Sequence, residues 1–173
     1  MRSLRGIFAG LTVLSVVGVL GGCVVVNATY PPRPGESATS DLNLSPSPTA
    51  MEAGLRAALE RNPVEGRYIL NLPRGMERAV AQRIANAVGP GQAVLPDVEL
   101  DEALPVVHVS RVWIRGEIAE VDVLLPVDEV WQAVTVRMRG GVVRGYRVER
   151  VRRWPPGMIE APELFGWERD SVR

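Results

Sequence analysis

The sequence contains no lysine, one cysteine and one histidine, and each shortage excludes a class of chemistry. All 20 basic residues are arginine, so mechanisms that need a Schiff-base lysine or a phosphate-loop lysine are excluded. The single cysteine, Cys23, rules out an intramolecular disulfide, a CxxC redox pair and a cysteine zinc cage. Acid–base catalysis at neutral pH would depend on His108, which has only Ser110 nearby and no partner motif. We therefore expect no catalytic residues, no bound metal and no cofactor.

The N-terminal segment is apolar and has the anatomy of a signal peptide. Two arginines near its start precede a largely apolar stretch of 14 residues. The sequence Leu-Gly-Gly-Cys at 20–23 follows and resembles the lipobox of bacterial lipoproteins. In that family the thiol receives a diacylglycerol, a peptidase cuts before the cysteine, and the freed amine is acylated. The resemblance predicts a signal peptide at 1–22 and a mature chain that begins at Cys23. It places the protein on the cell membrane or outer membrane, facing the periplasm or exterior.

Two other fates of this segment stay open. The uncharged run from residue 6 to 26 is 21 residues long, roughly 30 Å as a helix, and could remain as a membrane-spanning anchor. Residues 26–28 imitate a small-residue cleavage site, and cleavage there would release a soluble secreted protein. Because the only cysteine directly follows two glycines, we favour lipidation. The expected partners are membrane lipid, through the acylated Cys23, and an envelope protein. No nucleic acid is expected outside the cytoplasm, and the formal net charge is zero.

The rest of the chain divides by composition. Residues 23–48 are rich in proline, serine and glycine, which predicts a lipidated N-terminus and a disordered tether. A single α+β domain is expected at 49–157. A C-terminal tail at 158–173 mixes apolar residues with acids and either docks on the domain or meets a partner.

Two helices with a short strand between them are predicted at the start of the domain. Thr49 and Glu52 form a capping-box pattern, which predicts a helix over 50–61. Apolar residues four apart, from Met76 to Val88, predict a second helix that ends at Gly89. The apolar run between the helices predicts a strand.

From there to the end of the domain, apolar residues alternate with polar ones, which predicts strands with one buried face. We predict an antiparallel meander of about four strands, at 106–115, 117–125, 130–139 and 142–153. The predicted fold is therefore α+β, with two N-terminal helices packed on this meander. Its element order resembles the cystatin and nuclear-transport-factor type of cone.

Charge is segregated along the meander. Residues 97–129 hold nine acids and two arginines, whereas residues 137–153 hold seven arginines and one acid. Antiparallel pairing brings these blocks together, so cross-strand ion pairs are one interpretation. The other is an arginine surface that binds phosphate, carboxylate or lipid head groups. Its candidate residues are Arg137, Arg144, Arg147, Arg150, Arg152 and Arg153.

The sequence thus predicts an anchored lipoprotein rather than a recognisable enzyme. We expect its domain to be a non-enzymatic binding or assembly module. The alternative is a small cone-shaped ligand-binding or enzymatic domain with a pocket between sheet and helices, lined by His108, Asp122 or Tyr146.

Overall fold

The structure is a computed structural model that describes residues 27–32, 34, 41–96, 104–128, 130–157 and 163–165. It contains two helices, α1 (Ser47–Arg61) and α2 (Arg78–Val88). Its strands are β1 (Asn27–Tyr30), β2 (Tyr68–Asn71), β3 (Ala93–Val94), β4 (Val106–Arg115), β5 (Ile118–Val127), β6 (Val130–Gly141) and β7 (Gly145–Arg153). Neither helix of the described ranges is long and apolar enough to cross a bilayer.

The seven strands form one mixed sheet, in which six follow the order β3-β2-β4-β5-β6-β7 and β1 pairs with β4 outside this order. Strands β4 to β7 are joined by short turns and pair antiparallel, whereas β2 pairs parallel with both β3 and β4. Strand β1 pairs antiparallel with the second half of β4, with Asn27 opposite Arg115. The edge of β4 that does not pair with β5 is therefore shared, because β2 pairs with its first half and β1 with its second half.

Both helices pack on one face of the sheet. Met51 and Leu55 of α1 and Ile84 of α2 are fully buried, against apolar side chains that alternate along β4, β5 and β6. Helix α1 comes closest to the sheet at Gly54, where an added Cβ would lie 2.8 Å from the Cβ of Val121. We call the opposite face, which carries the other half of each strand's side chains, the open face.

The predicted fold class is wrong. The sheet has seven strands and is mixed, rather than a four-strand antiparallel meander, and one of its strands precedes both helices. The β2–β3 pair is parallel because β2, α2 and β3 form a strand–helix–strand crossover, which returns β3 in the same direction as β2. The predicted strand at 106–115 coincides with β4, and those at 117–125, 130–139 and 142–153 overlap β5, β6 and β7. The cone resemblance rested on an element order that this sheet does not have.

The prediction of a disordered tether is also wrong for the described part of residues 23–48. Residues 27–30 form β1, because the exposed edge of β4 offers backbone partners to a short extended segment. Leu42 is buried, and the Asn43 side chain accepts a hydrogen bond from the N–H of Glu77 (2.6 Å) and donates one to the carbonyl of Gly75 (3.2 Å). The segment before α1 is thereby bound to the start of α2.

The predicted capping box at Thr49 and Glu52 does not form. Helix α1 begins at Ser47, with Pro46 as its N-cap residue and no side-chain capping bond. Pro48 follows at the second position of the helix, where proline is tolerated because its φ is already helical and the N–H groups of the first turn have no partner within the helix. Thr49 consequently lies inside the helix, and Glu52 pairs with Arg56 one turn later (2.8 Å).

Candidate functional site

The open face carries a concave groove of about 530 Å³ that spans β4 to β7. The two helices of the described ranges cover the other face, so polar side chains of neighbouring strands meet here across the pleat. The groove is lined by apolar residues at its floor, Leu124 and Ala133, and by charged or polar residues around them. Those charged and polar residues are Ser110, Arg111, Glu120, Asp122, Thr135, Arg137, Arg150 and Arg152.

An alternating chain of ion pairs crosses this face. Arg111 binds Asp122 through Nε (2.6 Å to Oδ2) and Glu120 through Nη2 (3.0 Å). Arg137 binds the other oxygen of Glu120 (3.0 Å) and approaches Glu149 on β7 (3.5 Å). Burial lowers the pKa of Arg111, but its hydrogen bonds and proximity to both carboxylates outweigh burial and leave that pKa raised. The network favours the ion-pair interpretation for Arg137, whose charge is already compensated.

Arg150 and Arg152 behave differently. Both line the groove, and neither has a carboxylate within ion-pair distance in the part of the chain that the structure describes. The guanidinium of Arg152 lies 3.7 Å from the ring centre of Trp154, and the Trp154 indole N–H donates to the hydroxyl of Thr135 (3.0 Å). This stacking holds Arg152 in place while leaving its N–H donors unused. These two arginines give the groove uncompensated positive charge.

The other three candidate arginines lie away from the groove. Arg153 points to the helix side, where it donates to the carbonyl of Arg61 at the end of α1 (2.6 Å). Arg144 and Arg147 lie at the turn between β6 and β7, at the opposite end of the sheet. The six arginines proposed from sequence as one surface are therefore split between three places.

Residues 163–165 of the C-terminal tail contact the β2 side of the open face. Asn71, fully buried in β2, donates to the carbonyl of Glu163 (2.8 Å) and accepts from the N–H of Phe165 (3.1 Å). The Phe165 ring lies 6.1 Å from the ring of His108. His108 is only 7% exposed, and burial lowers its pKa to about 4, against a smaller opposing effect of a backbone hydrogen bond at Asn71. Its imidazole is therefore neutral at ordinary pH.

The other candidate residues from the sequence do not form a site together with His108. The Ser110 hydroxyl donates to the carbonyl of Asp122 (3.3 Å), so it is not oriented toward His108. Tyr146 packs against the core on the helix side, and Asp122 lies on the open face. Cys23 lies outside the described residues, as do the first residues, 97–103, of the acid-rich stretch 97–129. Within the described ranges, no group of three or more His, Cys, Asp or Glu side chains is arranged to hold a metal ion.

Sequence reasoning missed two contributors to the open face. Arg111 anchors the ion-pair network from β4, although it lies outside the arginine-rich block. Asn71 holds the tail, and its one sequence signal is an amide at the end of an otherwise apolar strand. The chain matches no protein-family model, no curated protein and no solved structure with which it was compared. The geometry of the open face therefore carries the functional argument.

Proposed function

We propose that the chain is an envelope lipoprotein, anchored through a lipid on Cys23, whose domain binds an anionic group of a partner in the open-face groove. The observation that carries the binding proposal is the pair Arg150 and Arg152, which line the groove and have no carboxylate partner among the described residues. Guanidinium groups bind carboxylates and phosphates through paired hydrogen bonds, and Arg152 is already oriented by Trp154.

The neighbouring ion pairs support this role. Arg111, Glu120, Asp122 and Arg137 neutralise one another across β4, β5 and β6 and form a rigid polar wall. An incoming anion meets no unpaired carboxylate there, while Arg150 and Arg152 supply donors on the β7 side. The exposed ring edge of Trp154 adds apolar surface beside them.

The packing between helices and sheet favours a surface site over an internal one. Met51, Leu55, Val121 and Val136 fill that space and are fully buried. The two pockets described here lie on the open face and at the turns between strands. A module that binds a partner at its surface fits this arrangement better than a cone-shaped domain with an internal ligand pocket.

A hexaglutamate peptide tests the groove, with inorganic phosphate as a second probe that separates carboxylate from phosphate recognition. We expect either probe to shift the indole N–H resonance of Trp154 in NMR spectra of the detergent-solubilised protein. The double variant Arg150→Gln/Arg152→Gln should weaken that binding by about tenfold or more, because a hydrogen bond to a charged group contributes about 1.5 to 3 kcal/mol.

The matched control is Arg144→Gln/Arg147→Gln, which removes the same charge at the other end of the sheet. It should leave the response of Trp154 intact. Equal weakening in both double variants would show a net-charge effect and contradict a site at the groove.

A further inference from the structure

One end of the sheet combines two turns and the first residue of β1. The β4–β5 turn at 116–117 and the β6–β7 turn at 142–144 lie side by side, since the N–H of Gly140 donates to the carbonyl of Glu117 (2.8 Å). Asn27 is opposite Arg115, the last residue of β4, so the chain enters the domain at this same end. We call this region the turn end.

The turn end presents apolar side chains among arginines. Val143 is 97% exposed and Val142 is 54% exposed, although β-turns usually carry polar residues or glycine. Arg139, Arg144 and Arg147 line an adjoining pocket of about 740 Å³. Arg139 is paired with Glu149 (2.6 Å), whereas Arg144 and Arg147 have no carboxylate within ion-pair distance among the described residues.

The distance to the proposed anchor is short. Three residues lie between Cys23 and Asn27, and the four residue steps from one to the other span at most about 14 Å in a fully extended chain. The pairing of β1 with β4 is what shortens this connection, because it binds residues that would otherwise belong to a long tether. A lipid on Cys23 would therefore hold the turn end, rather than any other part of the domain, beside the bilayer.

We infer that the turn end docks on an anionic lipid surface, with Val142 and Val143 in the interface and Arg144 and Arg147 on head-group phosphates. Exposed apolar side chains flanked by arginine match the chemistry of this interface, where acyl chains meet charged head groups. The inference deepens the proposed function and rests on its lipid anchor. With the turn end on the lipid surface, the strands extend away from the membrane, and the open-face groove near the far end of β7 stays accessible to a partner.

A nitroxide at position 143 tests the contact in the full-length protein, extracted from membranes and reconstituted into vesicles of phosphatidylcholine and phosphatidylglycerol. The substitution is Val143→Cys, and the lipidated Cys23 is protected from the label by its thioether. We expect collisions of the nitroxide with dissolved oxygen to exceed those with a water-soluble nickel reagent several-fold, relative to the control. The matched control is Val130→Cys, an exposed valine at the β5–β6 turn on the opposite end of the sheet.

Equal water exposure at positions 143 and 130 would overturn the inference. In the labelled Val143→Cys protein, the further substitutions Arg144→Gln and Arg147→Gln should increase collisions of the nitroxide with the nickel reagent. If the nitroxide stays as well shielded from that reagent without these arginines, their role is contradicted. Equal protection in vesicles of phosphatidylcholine alone would contradict the preference for anionic lipid.

The intact mass of the same sample shows whether Cys23 carries lipid, so the anchor and the docking of the turn end are tested independently. If Cys23 carries lipid and position 143 is exposed to water, the docking of the turn end is refuted and the lipid anchor is supported. If the mass shows no lipid on Cys23, its free thiol would also take the label, so the measurement is repeated with Val143→Cys in a Cys23→Ser variant. Protection of position 143 from the nickel reagent in that variant, together with an unlipidated Cys23, refutes the anchor and supports the docking.

Discussion

Gly54→Ala is expected to lower the free energy of unfolding by about 2 kcal/mol, although alanine normally stabilises a helix interior by about 1 kcal/mol relative to glycine. Here the substitution is expected to destabilise the protein, because the new Cβ would lie 2.8 Å from the Cβ of Val121 and 3.0 Å from its Cγ2. Helix α1 would have to move away from β5 and loosen the core along its whole length. Urea denaturation, followed by circular dichroism, measures the change.

Val121→Ala provides the control for this steric explanation. It removes Cγ1 and Cγ2 but keeps the Cβ at 2.8 Å, so it relieves part of the clash, and the double variant should lose less stability than the sum of the single variants. We expect a coupling free energy of about 1 kcal/mol. Additive losses, or a stabilising effect of Gly54→Ala, would show that α1 is not seated on β5 at this residue.

Acidification is expected to lower the free energy of unfolding through His108, by about 3 kcal/mol between about pH 6.5 and pH 4. The pKa of His108 is lowered to about 4 in the folded protein, chiefly by burial, from an ordinary value of 6.5. As the pH falls through this window, the unfolded chain takes up a proton at this residue before the folded protein does. Its contribution to stability is therefore complete above pH 6.5 and is lost as the pH approaches 4.

His108→Gln isolates this contribution from the carboxylates that titrate in the same range. The variant keeps a polar side chain of similar length, so the difference between the two unfolding free energies should change with pH only through the imidazole. Chemical denaturation at several pH values measures that difference. A constant difference across the window would mean that His108 is not held neutral beneath Phe165.

The strands of the meander are readable from sequence because their pattern is local. Val121 and Val123 on β5, and Val134 and Val136 on β6, alternate with polar residues that face the groove. The helix over Arg78–Val88 is equally readable from apolar residues four apart. In these segments, burial of one face is enough to specify both the element and its orientation.

Strand partners and their directions are not local, and there the prediction from sequence is wrong. Asn27–Tyr30 has no strand pattern of its own and stands beside prolines, so its place in the sheet depends on the free edge of β4. Ala93–Val94 has only two residues, and its parallel pairing with β2 follows from the α2 crossover. Similarly, the arginine-rich block reads as one surface. The register places Arg137 directly opposite Arg150, and only the pairing of Arg137 with Glu120 on β5 distinguishes its charge from those of Arg150 and Arg152.

The intact mass of the protein extracted from bacterial membranes decides whether Cys23 carries the anchor on which the proposed function depends. We expect the mass of residues 23–173 with a diacylglycerol on the thiol and an acyl group on the amine. The mass of the whole 173-residue chain with a free thiol, or of a shorter unlipidated chain cut after Ala28, would contradict the proposal.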